Sequence, residues 1–297
     1  DSFFQFFVGK NIFGQKLFEY RVSSFFGDDL ILGSFLIRLL PIILWYLFYL
    51  RIDINQNKFY LVIFFTLYFS VIYLSGERTS FALLIGFILL STIFISEIRN
   101  ILIKSTIIFS IFIIFNAILD LGKTDITHRM FNKTYKQVIK QNITTENKIE
   151  YKDDNFSKFV KSLKVFSNHH EGHLIVAKNL FKENPIFGVG PKGFRHFCRS
   201  VDYDPKEGIC STHPHNILAQ TISEIGLIGL FFYLAFVTFL IKHTLLIKNN
   251  NNNKFESNSF LVISIGLLIH LFPILPSGNF FNNWISSFIY FKIGLLL

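Results

Sequence analysis

The chain has 297 residues, 51% of them hydrophobic and 18% aromatic, and its mean hydropathy is +0.43. This composition excludes an ordinary soluble domain and predicts an all-α polytopic membrane protein. The formal net charge is +9. In a soluble protein, this excess of positive charge would indicate a nucleic-acid partner. In a membrane protein, the positions of the positive charges indicate which loops face the cytoplasm, so we expect no nucleic-acid partner.

The first 29 residues contain the glycine-punctuated stretches GKNIFG and RVSSFFGDDL, with Arg21 beside aromatic and small residues. We interpret 1–29 as a periplasmic loop. The chain opens at Asp1, already in polar and aromatic sequence, and no cleavable signal peptide is visible. We therefore expect an N-terminally truncated piece of a longer protein, with earlier spans missing.

Seven apolar segments follow, each close to the roughly 17–25 residues that cross a bilayer. They lie at 30–50, 59–75, 81–96, 101–119, 217–241, 260–275 and 280–297. Their order predicts four transmembrane helices in 30–119, a loop domain in 120–215 and three transmembrane helices in 216–297.

The short loops between these segments differ in charge. Lysines and arginines are concentrated in one set of linkers, 51–58, 97–104 and 242–258. In the loops on the opposite side, 76–80 and 276–279, Arg78 is the only lysine or arginine. Because positively charged loops stay inside, we predict that 120–215 is extracytoplasmic and faces the periplasm; long loops cross largely regardless of their own lysines.

Both cysteines, Cys198 and Cys210, lie in this outer segment, and their spacing closes a short loop. Because the periplasm is oxidising, we expect a disulfide between them, the alternative being two free, buried thiols. A metal site is not expected here, since the chain has no other cysteine and the nearby histidines lack ligand spacing.

Residues 169–183 predict a helix with Leu174, Ala177 and Leu180 on one face, ended by an Asn-Pro pair. The turn-rich GVGPKGF that follows carries Lys192, and Arg195 comes just after it. GVGPKGF lacks the Gly-Lys-Ser/Thr of a nucleotide-binding loop. We interpret it first as a tight structural turn and second as a source of basic side chains near an anionic substrate.

His215 and Asn216 stand where the outer segment enters the next apolar helix, and Glu224 follows in the first turns of that helix. A near-neutral imidazole suits a general base that takes a proton from a hydroxyl, with Asn216 orienting the base or the substrate. We expect Asn216 and Glu224 to contribute to substrate binding. The alternative is a histidine that only flanks a helix at the membrane interface.

Arg78, in SGERTSF, stands at the outer end of the third apolar segment. An arginine between two apolar spans is costly and usually faces a polar cavity or an anion. Its guanidinium can hold a diphosphate through paired hydrogen bonds. The alternatives are snorkelling to the interface or an ion pair with Glu77.

Two further patterns contain metal-ligating residue types. Asp202-Tyr-Asp204 has the Asp-x-Asp spacing with which nucleotide-sugar glycosyltransferases hold a divalent cation, but nucleotide sugars are absent outside the cytoplasm. His169, His170 and His173 cluster before the glycine-rich turn, where polar packing is the favoured interpretation. We expect no metal and no other cofactor.

Taken in order, SGERTSF, NPIFGVGPKGF and HPHNILAQTISEIGLIG resemble the O-antigen ligase and polymerase family of bacterial membrane enzymes. The opening RVSSFFGDDLILGSFL also resembles polymerase-like members, so the resemblance covers nearly the whole chain. It implies a GT-C-like helical bundle in the bacterial inner membrane, with a large periplasmic loop domain and an active site that faces the periplasm. It also implies transfer of a glycan from undecaprenyl diphosphate to a hydroxyl of lipid A core or of another glycan, with inversion and without metal or nucleotide.

By this resemblance, His215 matches the family's essential loop histidine, and Arg78 matches an arginine at an outer helix end that would grip the diphosphate. Family members often carry a second arginine on the helix before the Asn-Pro-x-x-Gly turn, where this chain has NHHEGHLIVAKN. The second cationic role is therefore open. Its candidates are His170, Lys192, Arg195 and Arg21.

The alternative class is a transporter or flippase of lipid-linked sugars, which would place charges at mid-membrane and contain internal repeats. The segments are apolar through their centres except for Arg38 and Lys104 near their ends, and no clear repeat is visible. These observations favour an enzyme. Lipid A core, another repeat unit and a protein hydroxyl are all open as the acceptor.

Overall fold

The structure is a computed structural model that describes residues 1–18, 21–119, 121, 125–132, 134–135, 168–199, 210–248 and 254–296. Within these ranges the regular elements are helical, and the only β-type contacts are isolated bridges. The first helices are α1 (Ser2–Val8), α2 (Leu32–Tyr49), α3 (Lys58–Leu74), α4 (Arg78–Phe94) and α5 (Ser96–Leu119). The later helices are α6 (Asn168–Glu183), α7 (Phe194–Phe197), α8 (Ile217–Glu224), α9 (Gly226–Lys248), α10 (Lys254–His270) and α11 (Asn283–Leu296). The helical part of the predicted fold class is confirmed.

Three of the described helices, α2, α5 and α9, are long and apolar enough to cross a bilayer. Helices α3 and α4 are also apolar but have 17 residues each. Helix α11 has 14 residues, which at about 1.5 Å per residue fall short of a hydrocarbon core roughly 30 Å thick. The prediction of a helical membrane protein therefore agrees with the structure, while seven full spans are only partly supported.

The predicted fifth span, 217–241, is wrong in its boundaries. Helix α8 ends at Glu224, and α9 begins at Gly226, where φ is 70°. Glycine tolerates this left-handed conformation, whereas a side chain would be strained. The apolar run is therefore divided into a short helix and a candidate span that starts at Gly226.

The chain divides into two compact units, and each is discontinuous in sequence. Unit 1 comprises Asp1–Thr134, His243–His270 and Gly294–Leu297, and unit 2 comprises Tyr135–Lys242 and Leu271–Ile293. These units group residues by packing. The predicted domains instead group residues by whether they lie within the membrane or on one side of it. They stay a prediction, with the bounds 1–29, 30–119, 120–215 and 216–297.

An aromatic core joins three helices of unit 1. Phe65, Phe69 and Tyr73 follow one another at intervals of four residues on α3, so they share one face of the helix. The rings of Phe81 from α4 and Phe109 from α5 contact Tyr73 at centroid distances of 5.9 and 6.2 Å. Edge-on and tilted ring contacts of this kind stabilise packed aromatic groups beyond simple burial.

Helix α6 packs against α8 in unit 2. The predicted helix 169–183 is confirmed, since α6 spans Asn168–Glu183. Its buried face meets α7 and α8 in one apolar cluster. The cluster contains Leu174, Val176, Ala177, Leu180, Phe194, Cys198 and Ala219. This packing holds α6 against α8, the helix that leads into the candidate span.

Candidate functional site

His215 has an unusual backbone conformation immediately before α8. Its φ is 52°, in the left-handed region that residues with a side chain rarely adopt. Two contacts hold the backbone there: the Ser277 N–H donates to the His215 carbonyl at 2.8 Å, and Asn216 caps α8. Strained residues of this kind concentrate at functional sites.

Asn216 has a structural function in addition to any substrate contact. Its Oδ1 accepts from the Ala219 N–H at 2.9 Å, and its Nδ2 donates to the Pro273 carbonyl at 2.6 Å. The residue is buried, and its contribution to substrate binding stays a prediction. Its hydrogen bonds fix the position of the neighbouring His215.

Three other histidines of unit 2 lie around the His215 ring. The His213, His173 and His170 rings lie 4.0, 5.3 and 5.5 Å from it, measured between centroids. His170 and His173 are three residues apart on α6 and therefore point to the same side of that helix. The structure thus brings together His215 and one of the four candidates for the second cationic role, His170.

The environment of His213 and His215 lowers the pKa of both rings and favours their neutral forms. Burial lowers the pKa of His215 below its usual value of 6.5. Burial, with the nearby His215, lowers the pKa of His213 to about 3. A buried imidazolium loses hydration, and neighbouring imidazoles would repel its charge. A neutral imidazole at His215 is the form that can accept a proton at neutral pH.

A hydroxyl group contacts the His215 ring. The Oγ of Ser211 lies 3.0 Å from Nε2 of His215. Ser211 follows Cys210, which the structure joins to Cys198 with the two Cα atoms 5.3 Å apart. Cys198 is buried in the apolar cluster on α6 and α8. The covalent link therefore ties the segment containing Ser211 to the packed part of unit 2.

The turn after α6 is held tightly against the junction of α8 and α9. The Val189 and Gly190 N–H groups donate to the Ser223 and Glu224 carbonyls at 3.0 and 2.9 Å. At Gly188, an added Cβ would lie 2.4 Å from the Glu224 carbonyl carbon, so only glycine permits this approach. The interpretation of GVGPKGF as a tight structural turn agrees with this arrangement.

Glu224 anchors the same turn through its side chain. The carboxylate accepts from the Phe194 N–H at 3.1 Å and from Gln220 Nε2 at 2.9 Å. Burial raises the pKa of Glu224, and these hydrogen bonds oppose that shift. Its side chain has no exposed surface. These contacts give Glu224 a positioning role at the turn, and its contribution to substrate binding stays a prediction.

Replacing Glu224 with alanine should destabilise the protein, because two donors would lose their acceptor in a buried place. The expected cost is about 1–3 kcal/mol. We expect a lower midpoint of thermal unfolding in detergent and faster trypsin cleavage after Lys192, which is exposed on this turn. The matched control is Glu256→Ala, at an exposed position in the first turn of α10. Equal behaviour of the two variants would refute the anchoring role.

Lys192 and Arg195 lie on the anchored turn and at the start of α7. Both side chains are exposed, so they remain available to an anionic group. The Lys192 backbone has a φ of 62°. Arg195 also acts electrostatically on His213 and Glu224. Their proposed contact with substrate stays a prediction.

The turn that precedes α4, in unit 1, is built around Glu77. Its carboxylate accepts from the backbone N–H groups of Gly33 and Ser34 at 2.7 and 3.1 Å, and from the Ser34 hydroxyl at 2.7 Å. These donors belong to the first turn of α2, whose positive dipole end favours a carboxylate. Ser80 adds a further hydrogen bond at 3.0 Å. Glu77 thus joins the starts of α2 and α4 and places Arg78, which is exposed, at the first position of α4.

Arg21 supports this turn from the N-terminal segment. Its Nε donates to the Ser75 carbonyl at 3.0 Å, and one terminal nitrogen donates to the Leu30 carbonyl at 3.3 Å. That nitrogen lies 4.0 Å from the Glu77 carboxylate. Only 7% of the residue is exposed, so its geometry fits a structural role better than the predicted contact with substrate.

Among the described residues, no group of three or more His, Cys, Asp or Glu side chains has an arrangement that could hold a metal ion. Asp202 and Asp204 lie outside the described residues, as does the side chain of His169.

Three residues with clear roles in the structure were missed by the sequence interpretation. Ser211 contacts His215 from a loop position four residues earlier, and no local motif marks it. His173 was interpreted only as polar packing, although its spacing from His170 places both on one face of α6. Arg129 donates from Nε to the Gly76 carbonyl at 3.0 Å, a contact between residues 53 positions apart.

The sequence was compared with family models, curated proteins and solved structures. A family model described as O-antigen ligase matches residues 61–234, more than half of the chain. The chain therefore belongs to the O-antigen ligase family. This membership gives it an O-antigen ligase or polymerase type of role, with lipid-linked glycans and lipid A core as partners of the family in general. The comparisons with curated proteins and with solved structures give no match.

Proposed function

We propose that the chain transfers a glycan from a polyprenyl diphosphate carrier to a hydroxyl acceptor at the periplasmic face of the inner membrane. The observation that carries this proposal is the geometry of His215. A neutral, half-buried imidazole is held in a strained backbone conformation and faces a hydroxyl at hydrogen-bonding distance. A general base for an acceptor hydroxyl needs this combination of fixed position and unprotonated ring.

The proposed reaction is a single displacement at the anomeric carbon. The acceptor oxygen forms the new bond to that carbon while its proton passes to the His215 imidazole. The bond from the anomeric carbon to the diphosphate oxygen breaks, and the polyprenyl diphosphate leaves with the electron pair. Attack opposite the leaving group inverts the anomeric configuration. No metal, nucleotide or oxidant is needed to balance this step.

Arg78 is proposed to bind the diphosphate. Its guanidinium is exposed at the first position of a 17-residue helix, where the helix dipole also favours an anion. Planar paired donors match phosphate oxygens and would stabilise the charge that develops on the leaving group. The carrier's lipid tail lies in the bilayer, so this role requires the start of α4 to face the periplasm, as the charge of the loops predicts.

Purified full-length chain in lipid nanodiscs provides the test. The donor is a polyprenyl diphosphate glycan, and lipid A core or a second glycan-loaded carrier is offered as acceptor with excess chelator present. We expect transfer, with inversion at the new linkage seen by NMR. Product on lipid A core identifies a ligase, and a longer glycan on the carrier identifies a polymerase.

Two results would contradict the proposal. Loss of transfer in chelator with recovery on adding a divalent cation would refute a metal-independent reaction. Movement of intact donor across proteoliposomes without any new glycosidic bond would instead support the transporter or flippase alternative.

The rate of transfer should depend on pH through His215. Because burial lowers the pKa of His215 below 6.5, the folded protein keeps the ring neutral down to a lower pH than a free histidine does. Transfer should therefore stay level as pH falls towards 6.5 and decline only below it. Single-turnover rates between about pH 5 and pH 8, with donor binding measured in parallel, test this expectation. An acid limb centred at or above pH 6.5 would contradict it.

A further inference from the structure

The turn between α6 and α7 presents two apolar side chains to its surroundings. Ile186 and Phe187 are 54% and 73% exposed, although the backbone around them is held by hydrogen bonds to α8 and α9. An aliphatic and an aromatic side chain next to each other on a fixed, exposed turn form an apolar surface of the kind that binds lipid or protein. The position of the turn on α9 distinguishes between these two partners.

The turn is bonded to the start of a candidate membrane span. The Leu227 N–H donates to the Pro185 carbonyl at 2.8 Å, and the Ile228 N–H donates to the Ile186 carbonyl at 3.3 Å. At Gly226 an added Cβ would lie 2.4 Å from the Ile186 carbonyl oxygen, so the two backbones are in close contact. The first N–H groups of a helix lack partners within it, and this turn accepts from two of them. The turn therefore lies at the level of the first turn of α9.

The charge pattern of α9 places that level at the edge of the bilayer core. The stretch Gly226–Ile241 contains no charged residue, and Lys242 follows it. At about 1.5 Å per residue, this stretch is roughly 24 Å long. Because a lysine is costly in hydrocarbon, Lys242 marks the opposite edge of the core. A core roughly 30 Å thick then extends past Gly226, so the turn bonded there lies at the boundary between acyl chains and headgroups.

The side chains of α9 near its start are themselves exposed. Leu227, Phe231 and Phe232 face outward from unit 2, as expected for side chains that contact acyl chains. Ile186 and Phe187 extend this apolar surface beyond the helix. Because the surface is continuous with a candidate span, lipid is the partner that fits it.

The composition and bonding of the turn also suit this level. Non-helical backbone enters a bilayer only where its polar groups are paired. Here the carbonyls of 185–186 accept from α9, and the N–H groups of 188–190 donate to the Asn184, Ser223 and Glu224 carbonyls. Lys182 and Lys192 are exposed on either side of the turn. Basic side chains beside apolar ones are typical of protein surfaces that lie in the headgroup region.

We propose that Ile186 and Phe187 form a wedge that inserts into the phospholipid leaflet around the start of α9. The two side chains enter the boundary between acyl chains and headgroups. This wedge goes beyond the proposed glycan transfer and needs none of its chemistry. Because the same turn is bonded to the end of α8, the wedge also fixes the height of that helix above the bilayer core, and the other end of α8 adjoins His215.

Fluorescence quenching by brominated phospholipids in nanodiscs tests the wedge in the full chain. Phe187→Trp is made in a chain whose two tryptophans, Trp45 and Trp284, are replaced by phenylalanine. With bromine at known carbons of the acyl chain, we expect quenching of the Phe187→Trp indole at a depth of about 5–10 Å below the headgroups. Phe232→Trp marks the lipid-facing side of α9. It should be quenched about 6 Å deeper, the rise along the helix from Ile228 to Phe232.

The matched control is His196→Trp, at an exposed position of α7 outside the turn. We expect the bromines to quench it much less than Phe187→Trp. All three replaced side chains are exposed, and a monodisperse elution profile confirms the fold of each variant.

Two results would overturn the proposal. Quenching of Phe187→Trp that is no stronger than that of His196→Trp would show that the turn does not insert. Blue-shifted emission of Phe187→Trp without quenching by bromine would show that a protein segment, and not lipid, covers the pair. Neither a glycan donor nor an acceptor is present in this experiment, so the wedge and the proposed transfer can fail separately.

Discussion

Replacement of Arg78 with lysine should reduce glycan transfer roughly 10- to 100-fold, although the positive charge is kept. An ammonium group is a compact point charge and cannot reproduce the planar pair of donors that a guanidinium presents to phosphate oxygens. Arg78→Ala should lose at least as much, because it removes the charge as well. The loss should appear in the chemical step, where charge develops on the leaving diphosphate.

Transfer rates of Arg78→Lys and Arg78→Ala protein in nanodiscs check this prediction. Arg51→Lys is the matched control, because Arg51 is exposed in the loop between α2 and α3. A monodisperse elution profile for each variant confirms that the chain is folded. If both Arg78 variants transfer glycan at the wild-type rate, Arg78 does not bind the diphosphate and serves only to orient the helix at the membrane interface.

Local sequence patterns predict the helices of this chain better than they predict the helix boundaries. The apolar spacing and the Asn-Pro stop are sufficient to predict α6, because helix face and helix end are both local properties. The division of 217–241 into α8 and α9 was missed. It depends on the turn after α6, whose residues Pro185 and Ile186 accept hydrogen bonds from the first turn of α9 at 2.8 and 3.3 Å. No window of sequence around Gly226 contains that partner.

In the candidate site too, local features are visible in the sequence, whereas contacts between residues far apart in the chain are not. A histidine before a membrane helix and an arginine at a helix start are visible in the sequence, and the family resemblance adds their roles. The positioning role of Glu224 was not visible, since its partner Phe194 is 30 residues earlier. Arg129 was missed for the same reason. A glutamate that positions a turn and a glutamate that binds substrate are identical in the sequence, and only their contacts in the structure distinguish them.

Replacement of His215 with alanine should abolish most glycan transfer, with a loss of about 10²–10⁴-fold, the range typical of a missing general base. The acceptor hydroxyl would then have to attack with its proton in place. Donor binding should change little, because the proposed mechanism assigns the carrier diphosphate to Arg78 and the acceptor hydroxyl to His215. His213→Ala should have a smaller effect, since burial lowers the pKa of His213 to about 3 and its ring does not adjoin Asn216.

The measurement is single-turnover transfer from purified polyprenyl diphosphate glycan, with chelator present and donor binding measured on the same sample. His196→Ala is the control, because His196 is an exposed histidine of the same unit, on α7. Asparagine, like histidine, tolerates a φ of 52° better than alanine does, so His215→Asn separates loss of the base from a change in the loop backbone. If transfer persists in both variants, or if a divalent cation restores it, the base is elsewhere and Asp202 and Asp204 become the next residues to replace. If both variants lose transfer and still bind donor, the imidazole itself acts on the acceptor.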